Sequence, residues 1–222
     1  MKKIILYLLL AGITLFTACS LEDPTQPTVG NILPAQLVLT KMVAIGNSLT
    51  AGVQSAGLVE DFQLNSFPYL IAQQMGRADQ FEQPLIADPG LSNTPGVGVL
   101  DFVGGQIVPR GTYTNPLALA KNINLPRPYD NLGLPGANLD DMLRFKLSPN
   151  PGIWDLILRN PNFGNTTVLE QARLLNPTLI LFWGGNNDVL GAATNGGDPS
   201  QITSVSDFQT RYLAVLAELS LL

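Results

Sequence analysis

Short apolar runs and amphipathic stretches alternate along most of the chain. The apolar residues at 37–39 and 42–45 and the run at 178–183 are too short for ordinary helices and are predicted to be buried strands. Residues 129–138 are predicted to form a short strand that leads into a glycine turn. Apolar residues recur at helical spacing elsewhere, which predicts helices over 67–75, 139–145, 153–158, 168–175 and 208–219. Strands that alternate with helices indicate an α/β fold, a parallel sheet with helices on both faces.

Polar residues at three predicted helix starts support these assignments. Ser66 precedes a proline in the first helical turn and is expected to cap the helix that begins at Phe67. Thr167 and Glu170 have the spacing of a capping box. Ser206 with Gln209 is expected to cap the last helix in the same way.

Residues 77–128 form the least regular part of the sequence, because prolines and glycines interrupt every apolar run. One hairpin is predicted inside this segment, with strands at 99–103 and 106–108 joined by Gly104 and Gly105. A segment of this length without its own core usually has a purpose. It is either a lid or substrate-binding insertion, or a passive surface excursion, and the sequence leaves both open.

The N-terminus has the pattern of a secretion signal. Lys2 and Lys3 precede an apolar run at 4–16 that is too short to span a bilayer comfortably, which predicts a signal peptide over 1–18. The end of the run resembles a bacterial lipobox, which implies cleavage before Cys19 and lipid attachment to its thiol. A stray thiol in an ordinary signal is the alternative. Residues 19–36 are predicted to tether the following domain, and Ser20 favours the outer membrane or cell surface.

Composition narrows the choice of partners. The sequence has 12 basic and 17 acidic residues, and removal of Lys2 and Lys3 with the signal leaves 10 and 17, a net charge of −7. An acidic chain without basic runs disfavours nucleic acid and favours neutral substrates such as esters. With one cysteine and no histidine, neither an intramolecular disulfide nor a transition-metal site is expected. No phosphate-binding loop or dinucleotide fingerprint is present, so no cofactor is expected.

Three turns that follow predicted strands supply candidate chemistry. Ser48 offers a hydroxyl nucleophile, Gly136 a backbone N–H that no side chain obstructs, and Asn187 a carboxamide donor. Because the carboxyl ends of parallel strands share one edge of a sheet, these groups are expected to meet there. Together with the Ser48 N–H, they would form an oxyanion hole around an attacked carbonyl group. The alternative is that Ser48 merely caps the helix that follows it.

The same turns resemble the conserved blocks of the SGNH, or GDSL, esterase and lipase family. Residues 46–49 (Gly-Asn-Ser-Leu) are similar to its first block, 131–137 to its second and 185–188 (Gly-Asn-Asn-Asp) to its third. The resemblance implies that Ser48 is the nucleophile and that Gly136 and Asn187 complete the oxyanion hole. It also implies ester hydrolysis through an acyl-enzyme and a flavodoxin-like three-layer α/β/α fold, with five parallel strands in the order 2-1-3-4-5.

Two departures from the family pattern bear on catalysis. Asn47 stands where the family has Asp, at a position that supports the site without reacting. The Asp-x-x-His segment that supplies the family's general base is absent, and a serine without a base is a poor nucleophile. Residues 37–222 are therefore expected to be a partial SGNH domain, the N-terminal portion of a longer enzyme, without turnover of their own. The alternative is a non-catalytic surface lipoprotein that binds glycan or protein.

Overall fold

The computed structural model describes residues 38–147, 152–160 and 162–222. The predicted signal (1–18), the tether (19–36) and Cys19 lie outside the described residues. Seven strands are described: β1 Met42–Gly46, β2 Gly57–Leu58, β3 Leu91–Ser92, β4 Leu100–Val103, β5 Gln106–Pro109, β6 Asn131–Gly133 and β7 Leu179–Trp183. The described helices are α1 Ser48–Ala51, α2 Glu60–Gln63, α3 Phe67–Gln74, α4 Leu139–Arg144, α5 Ile153–Leu158, α6 Val168–Leu174, α7 Asn187–Thr194 and α8 Val205–Leu219. None of these helices is long and apolar enough to cross a bilayer.

Three parallel strands form the main sheet, in the order β6-β1-β7. All five residues of β1 are buried, because it pairs with a strand on each side. The predicted parallel sheet is confirmed, with three strands in the described chain instead of the five that the family resemblance implies. β7, the most apolar of the predicted strands, forms an edge, and its side chains are only half-buried or exposed.

Helices cover both faces of the sheet, as the alternation of elements predicts. Val43 and Ile45 of β1 point to one face and pack with buried residues of α4, α6 and α8, including Met142, Leu169 and Val215. Met42 and Ala44 point to the other face, where they pack against Ala72 of α3 and against Phe81. Because successive strand residues face opposite sides, β1 belongs to both cores.

Two of the three predicted helix caps need correction. Ser204, not Ser206, caps α8: its hydroxyl accepts the N–H of Asp207 at 3.1 Å, while Ser206 lies inside the first turn. Ser66 precedes α3 as predicted, but its hydroxyl points to Gln83 instead of capping the helix. The capping box of Thr167 and Glu170 at the start of α6 is confirmed.

Residues 77–128 pack onto the domain through apolar contacts. Ile86 and Leu91 are buried in a cluster with Ala51, Leu58 and Leu156. β3 pairs with β2, so close that a Cβ on Gly57 would lie 2.3 Å from the carbonyl oxygen of Leu91. The predicted hairpin is present as β4 and β5, shifted by one residue at two of its ends.

Lys41, the last charged residue before Ser48 in the sequence, lies at the amino end of the sheet. Lys41 forms an ion pair there with the buried carboxylate of Asp130. Arg127 donates to the same carboxylate at 2.9 Å, and the backbone N–H of Glu82 also donates to it, at 2.8 Å. Lys41 is thus engaged at the end of β1 opposite Ser48.

Candidate functional site

The carboxyl ends of the three parallel strands bring the predicted site residues to one cavity. Ser48 follows β1, Gly136 follows β6 and Asn187 follows β7. All three line a cavity of about 650 Å³. Residues of 91–116 and of α5 form much of the remaining wall. Three residues that are far apart in the sequence therefore face the same space.

Ser48 is the first residue of α1, directly after the buried central strand. The N-cap of this helix is Asn47, whose side-chain oxygen accepts the N–H of Leu49 at 3.3 Å. The alternative role of Ser48 as a helix cap is therefore wrong. The Ser48 hydroxyl is half-buried and makes no hydrogen bond within the described chain, so it is available to a molecule in the cavity.

Two glycines allow α1 to lie against the sheet. A Cβ on Gly46 would stand 2.1 Å from Oγ1 of Thr50, and one on Gly133 would stand 2.3 Å from the backbone nitrogen of Ala51. Any larger residue at either position would displace α1, and Ser48 with it. The glycines of the first two turns thus set the position of the hydroxyl.

Gly136 presents its backbone in a conformation that favours glycine, with φ +83°. A Cβ at this position would meet nothing within 4 Å, so the requirement comes from the backbone and not from crowding. The indole N–H of Trp154 holds the loop by donating to the carbonyl oxygen of Pro135 at 2.8 Å. Asn138 and Asp141 form a capping box just beyond it, where burial raises the pKa of Asp141.

Three carboxamides connect the Ser48 turn to the Gly136 loop. Since Oδ1 of Asn47 accepts the Leu49 N–H, its Nδ2 faces Oδ1 of Asn186. Asn186 donates to Oδ1 of Asn187 at 3.1 Å, and Asn187 donates to the carbonyl oxygen of Ala137 at 2.8 Å. A backbone donor fixes one end of this amide chain and a backbone acceptor fixes the other, so each carboxamide has one orientation. The second N–H of Asn187 remains for the cavity.

Asp188, directly after Asn187, supports the site from below. Its carboxylate is buried and accepts the N–H of Leu139 at 3.1 Å and the hydroxyl of Thr203 at 2.9 Å. The first bond joins the start of α7 to the start of α4, and the second joins it to the segment that precedes α8. Sequence reasoning missed Asn186 and Trp154 as supporting residues, because their partners lie far away in the sequence and no local pattern indicates them.

The cavity wall is electrically neutral. No Asp, Glu, Lys or Arg lines it among the described residues, so the described wall contains no carboxylate or amine that could accept the Ser48 proton. In the same part of the chain, no group of three or more His, Cys, Asp or Glu side chains could hold a metal ion. The site therefore offers the unbonded hydroxyl of Ser48 and several hydrogen-bond donors.

Comparison of the chain with protein-family models, with curated proteins and with solved structures finds no match. Its class therefore rests on the fold. It is a mixed α/β protein with a three-stranded parallel sheet, helices on both faces and a cavity at the carboxyl edge of the strands.

Proposed function

We propose that this protein is a serine esterase of the SGNH type that acts on neutral carboxylic esters. The observation that carries the proposal is the meeting of Ser48, Gly136 and Asn187 at one cavity. The strand order adds support: in order of occurrence among the three parallel strands, β6-β1-β7 reads 2-1-3, which is how the flavodoxin-like order 2-1-3-4-5 begins.

In the proposed reaction, Oγ of Ser48 bonds to the carbonyl carbon of the ester and its proton passes to a base. The bond from that carbon to the alcohol oxygen then breaks, and the alcohol leaves with the proton. Water attacks the resulting acyl-enzyme in the same way, which releases the carboxylic acid and restores the hydroxyl.

The oxyanion formed in each step would be held by the N–H groups of Ser48 and Gly136 and by the carboxamide of Asn187. Neither backbone N–H makes a hydrogen bond to another described residue. Donors of this kind act where negative charge develops, and the loss of one costs on the order of 3 kcal/mol in the transition state.

The proton acceptor is the part of the mechanism that the described cavity lacks. Because the sequence has no histidine, we propose that a protein segment outside these 222 residues supplies the base. The outer edge of β7, unpaired within the described chain, is a surface to which such a segment could bind as a further strand.

We also propose that the enzyme is anchored to the outer membrane or cell surface through lipid on Cys19. Cells fed an alkyne-tagged fatty acid should incorporate the tag into the protein, and the change Cys19→Ser should abolish incorporation. Equal labelling of the two proteins would contradict the anchor while leaving the esterase proposal intact.

Labelling with a fluorophosphonate probe tests the nucleophile. The wild-type chain should become labelled, slowly because no base lines the cavity, and Ser48→Ala should not. Ser92→Ala is a matched control, since Ser92 lines the same cavity but its hydroxyl contacts the carbonyl oxygens of Thr94 and Val97. Labelling that survives Ser48→Ala, or that Ser92→Ala abolishes, would show that Ser48 is not the nucleophile.

The neutral wall favours one second candidate, a non-catalytic lipoprotein that binds a glycan or a protein on the same scaffold. This candidate needs no base and predicts that the fluorophosphonate fails to label the wild-type chain even when imidazole is added. It also predicts that Ser48→Ala leaves the affinity for the bound partner unchanged.

A further inference from the structure

The floor of the cavity is built from side chains of the hydrophobic core. Leu58, Leu91 and Leu156 line it, are at most 6% exposed, and belong to the core cluster that also contains Ala51 of α1. Ile153 and Tyr113 line the cavity as well and pack against this cluster. An apolar surface therefore begins next to the nucleophile helix.

Apart from Ser48, Asn187 and Tyr113, the polar side chains of the wall are exposed or already bonded. Asn93 and Thr114 are exposed, and the Ser92 hydroxyl contacts backbone carbonyl oxygens of its own turn. Since no charged side chain lines the described wall, a charged ligand group would lose its hydration there without gaining an ion pair. The buried part of the cavity thus fits an uncharged hydrocarbon group.

The wall from 91–116 is held in place by backbone contacts. Tyr113 donates its N–H to the carbonyl oxygen of Gly96 at 3.0 Å, and Gly98 donates to that of Gly111 at 2.8 Å. Arg110 reaches both Asp101 and Asp88. A wall fixed in this way can limit the size of a ligand, because it cannot yield without breaking these bonds.

We propose that the cavity holds the aliphatic acyl chain of the substrate, seated on Leu58, Leu91 and Leu156, and that Tyr113 limits its length. This inference rests on the proposed esterase function for the identity of the occupant. The acyl group is the part that remains bound through both steps of the reaction, whereas the alcohol must leave to water. The buried side therefore suits the acyl chain, and the exposed rim suits the departing alcohol.

Calorimetric titration with straight-chain amides, from butanamide to dodecanamide, tests the inference without any chemical step. The protein used is Ser48→Ala. Each methylene that becomes buried should lower the Kd about fourfold until the cavity is full. Octanoate should bind at least about tenfold more weakly than octanamide, because no cation lines the described wall.

Two opposite changes locate the binding surface. In the wild-type cavity, the Kd should stop falling at a certain chain length. Tyr113→Ala should move this limit to longer amides, and Leu156→Trp should move it to shorter ones. Tyr69→Ala is the matched control, since Tyr69 is also half-buried but packs in the cluster of Met42 and Ala44 and does not line the cavity. Circular dichroism establishes whether each variant is folded. If Leu156→Trp does not fold, the result for Tyr113→Ala decides the outcome.

The outcomes separate this inference from the proposed function. Chain-length dependence that moves with Tyr113→Ala supports the acyl site even if Ser48 never reacts with a fluorophosphonate. Two results would overturn the acyl site: amide affinities that do not depend on chain length, or affinities that Tyr69→Ala changes as much as Tyr113→Ala does. If Ser48 is labelled all the same, it remains the nucleophile.

Discussion

Asn187 owes its orientation to residues that do not touch the cavity. The Leu49 N–H fixes which way the Asn47 carboxamide points, and Asn47 in turn fixes Asn186. Asn186 then donates to Oδ1 of Asn187 and so favours one orientation of that amide. Without the bond from Asn186, only the carbonyl oxygen of Ala137 would hold the amide of Asn187. The amide would then turn its oxygen toward the developing oxyanion more readily, which would repel it. Asn186 is thus a positioning residue in the proposed mechanism.

Replacement of Asn186 by leucine should slow fluorophosphonate labelling of Ser48 by about tenfold, less than the loss of a whole oxyanion donor. The probe concentration that gives half-maximal rate should not change, because the cavity wall is intact. Measurement of labelling rate against probe concentration separates the two quantities. Asn195→Leu, at the other end of α7, is the control and should behave like the wild type. A changed half-saturation with an unchanged maximal rate would contradict the positioning role.

At the scale of elements, the sequence predicts most directly which residues stabilise the end of a helix. In α6, the Thr167 hydroxyl accepts the N–H of Glu170, and the Glu170 carboxylate accepts the N–H of Thr167 at 2.7 Å. That backbone hydrogen bond is the main cause that lowers the pKa of Glu170 below the ordinary value of a glutamate, and Lys146 adds to the effect. The capping box therefore makes part of the stability depend on pH.

Glu170→Ala should lower the free energy of unfolding by about 0.5–1 kcal/mol at neutral pH, as is typical of a lost cap. A carboxylate with a lowered pKa stabilises the folded state above its ordinary pKa and ceases to do so as the pH falls through the lowered one. The difference between variant and wild type should therefore shrink below about pH 4.5. Urea unfolding at several pH values measures it.

Glu218→Ala is the control for this experiment, because Glu218 pairs with Arg173 at the surface and caps no helix N-terminus. It should change stability little at any pH. A Glu170→Ala difference that stays constant from neutral to acidic pH would show that the ionised carboxylate contributes nothing.

On the scale of the whole molecule, two different kinds of structure form the cavity, the parallel sheet and an irregular segment. The sheet supplies Ser48, Gly136 and Asn187 at its carboxyl edge, and the irregular residues of 91–116 supply much of the wall. The sheet provides hydrogen-bonding groups but, among the described residues, no proton acceptor. The proposed chemistry is therefore complete in everything except the base.

A diffusible base should supply the missing step. Added imidazole should raise hydrolysis of p-nitrophenyl acetate by the wild-type chain at least about tenfold above the imidazole-catalysed background, within the range of general-base effects. Ser48→Ala in the same buffer defines that background. The gain should grow with pH as imidazole loses its proton. Equal rates for the two proteins at every imidazole concentration would contradict a nucleophilic Ser48.

The sequence by itself determined the three parallel strands, five of the helices, the hairpin and the three turns that meet at the cavity, but it did not predict β2, β3 or α2. Those features are local: apolar periodicity, a capping box and glycines after short apolar runs each act within a few residues. It also made the absence of histidine evident. Even the errors are local ones, such as the cap at Ser204 that was expected at Ser206.

Only the tertiary structure decided which residues meet. The amide chain through Asn186, the support of Pro135 by Trp154 and the apolar floor under Ser48 join positions that are far apart in sequence. The most apolar predicted strand forms the sheet edge, which its composition does not indicate. Such relations depend on how elements pack, and packing is a property of the whole chain that no window of a few residues contains.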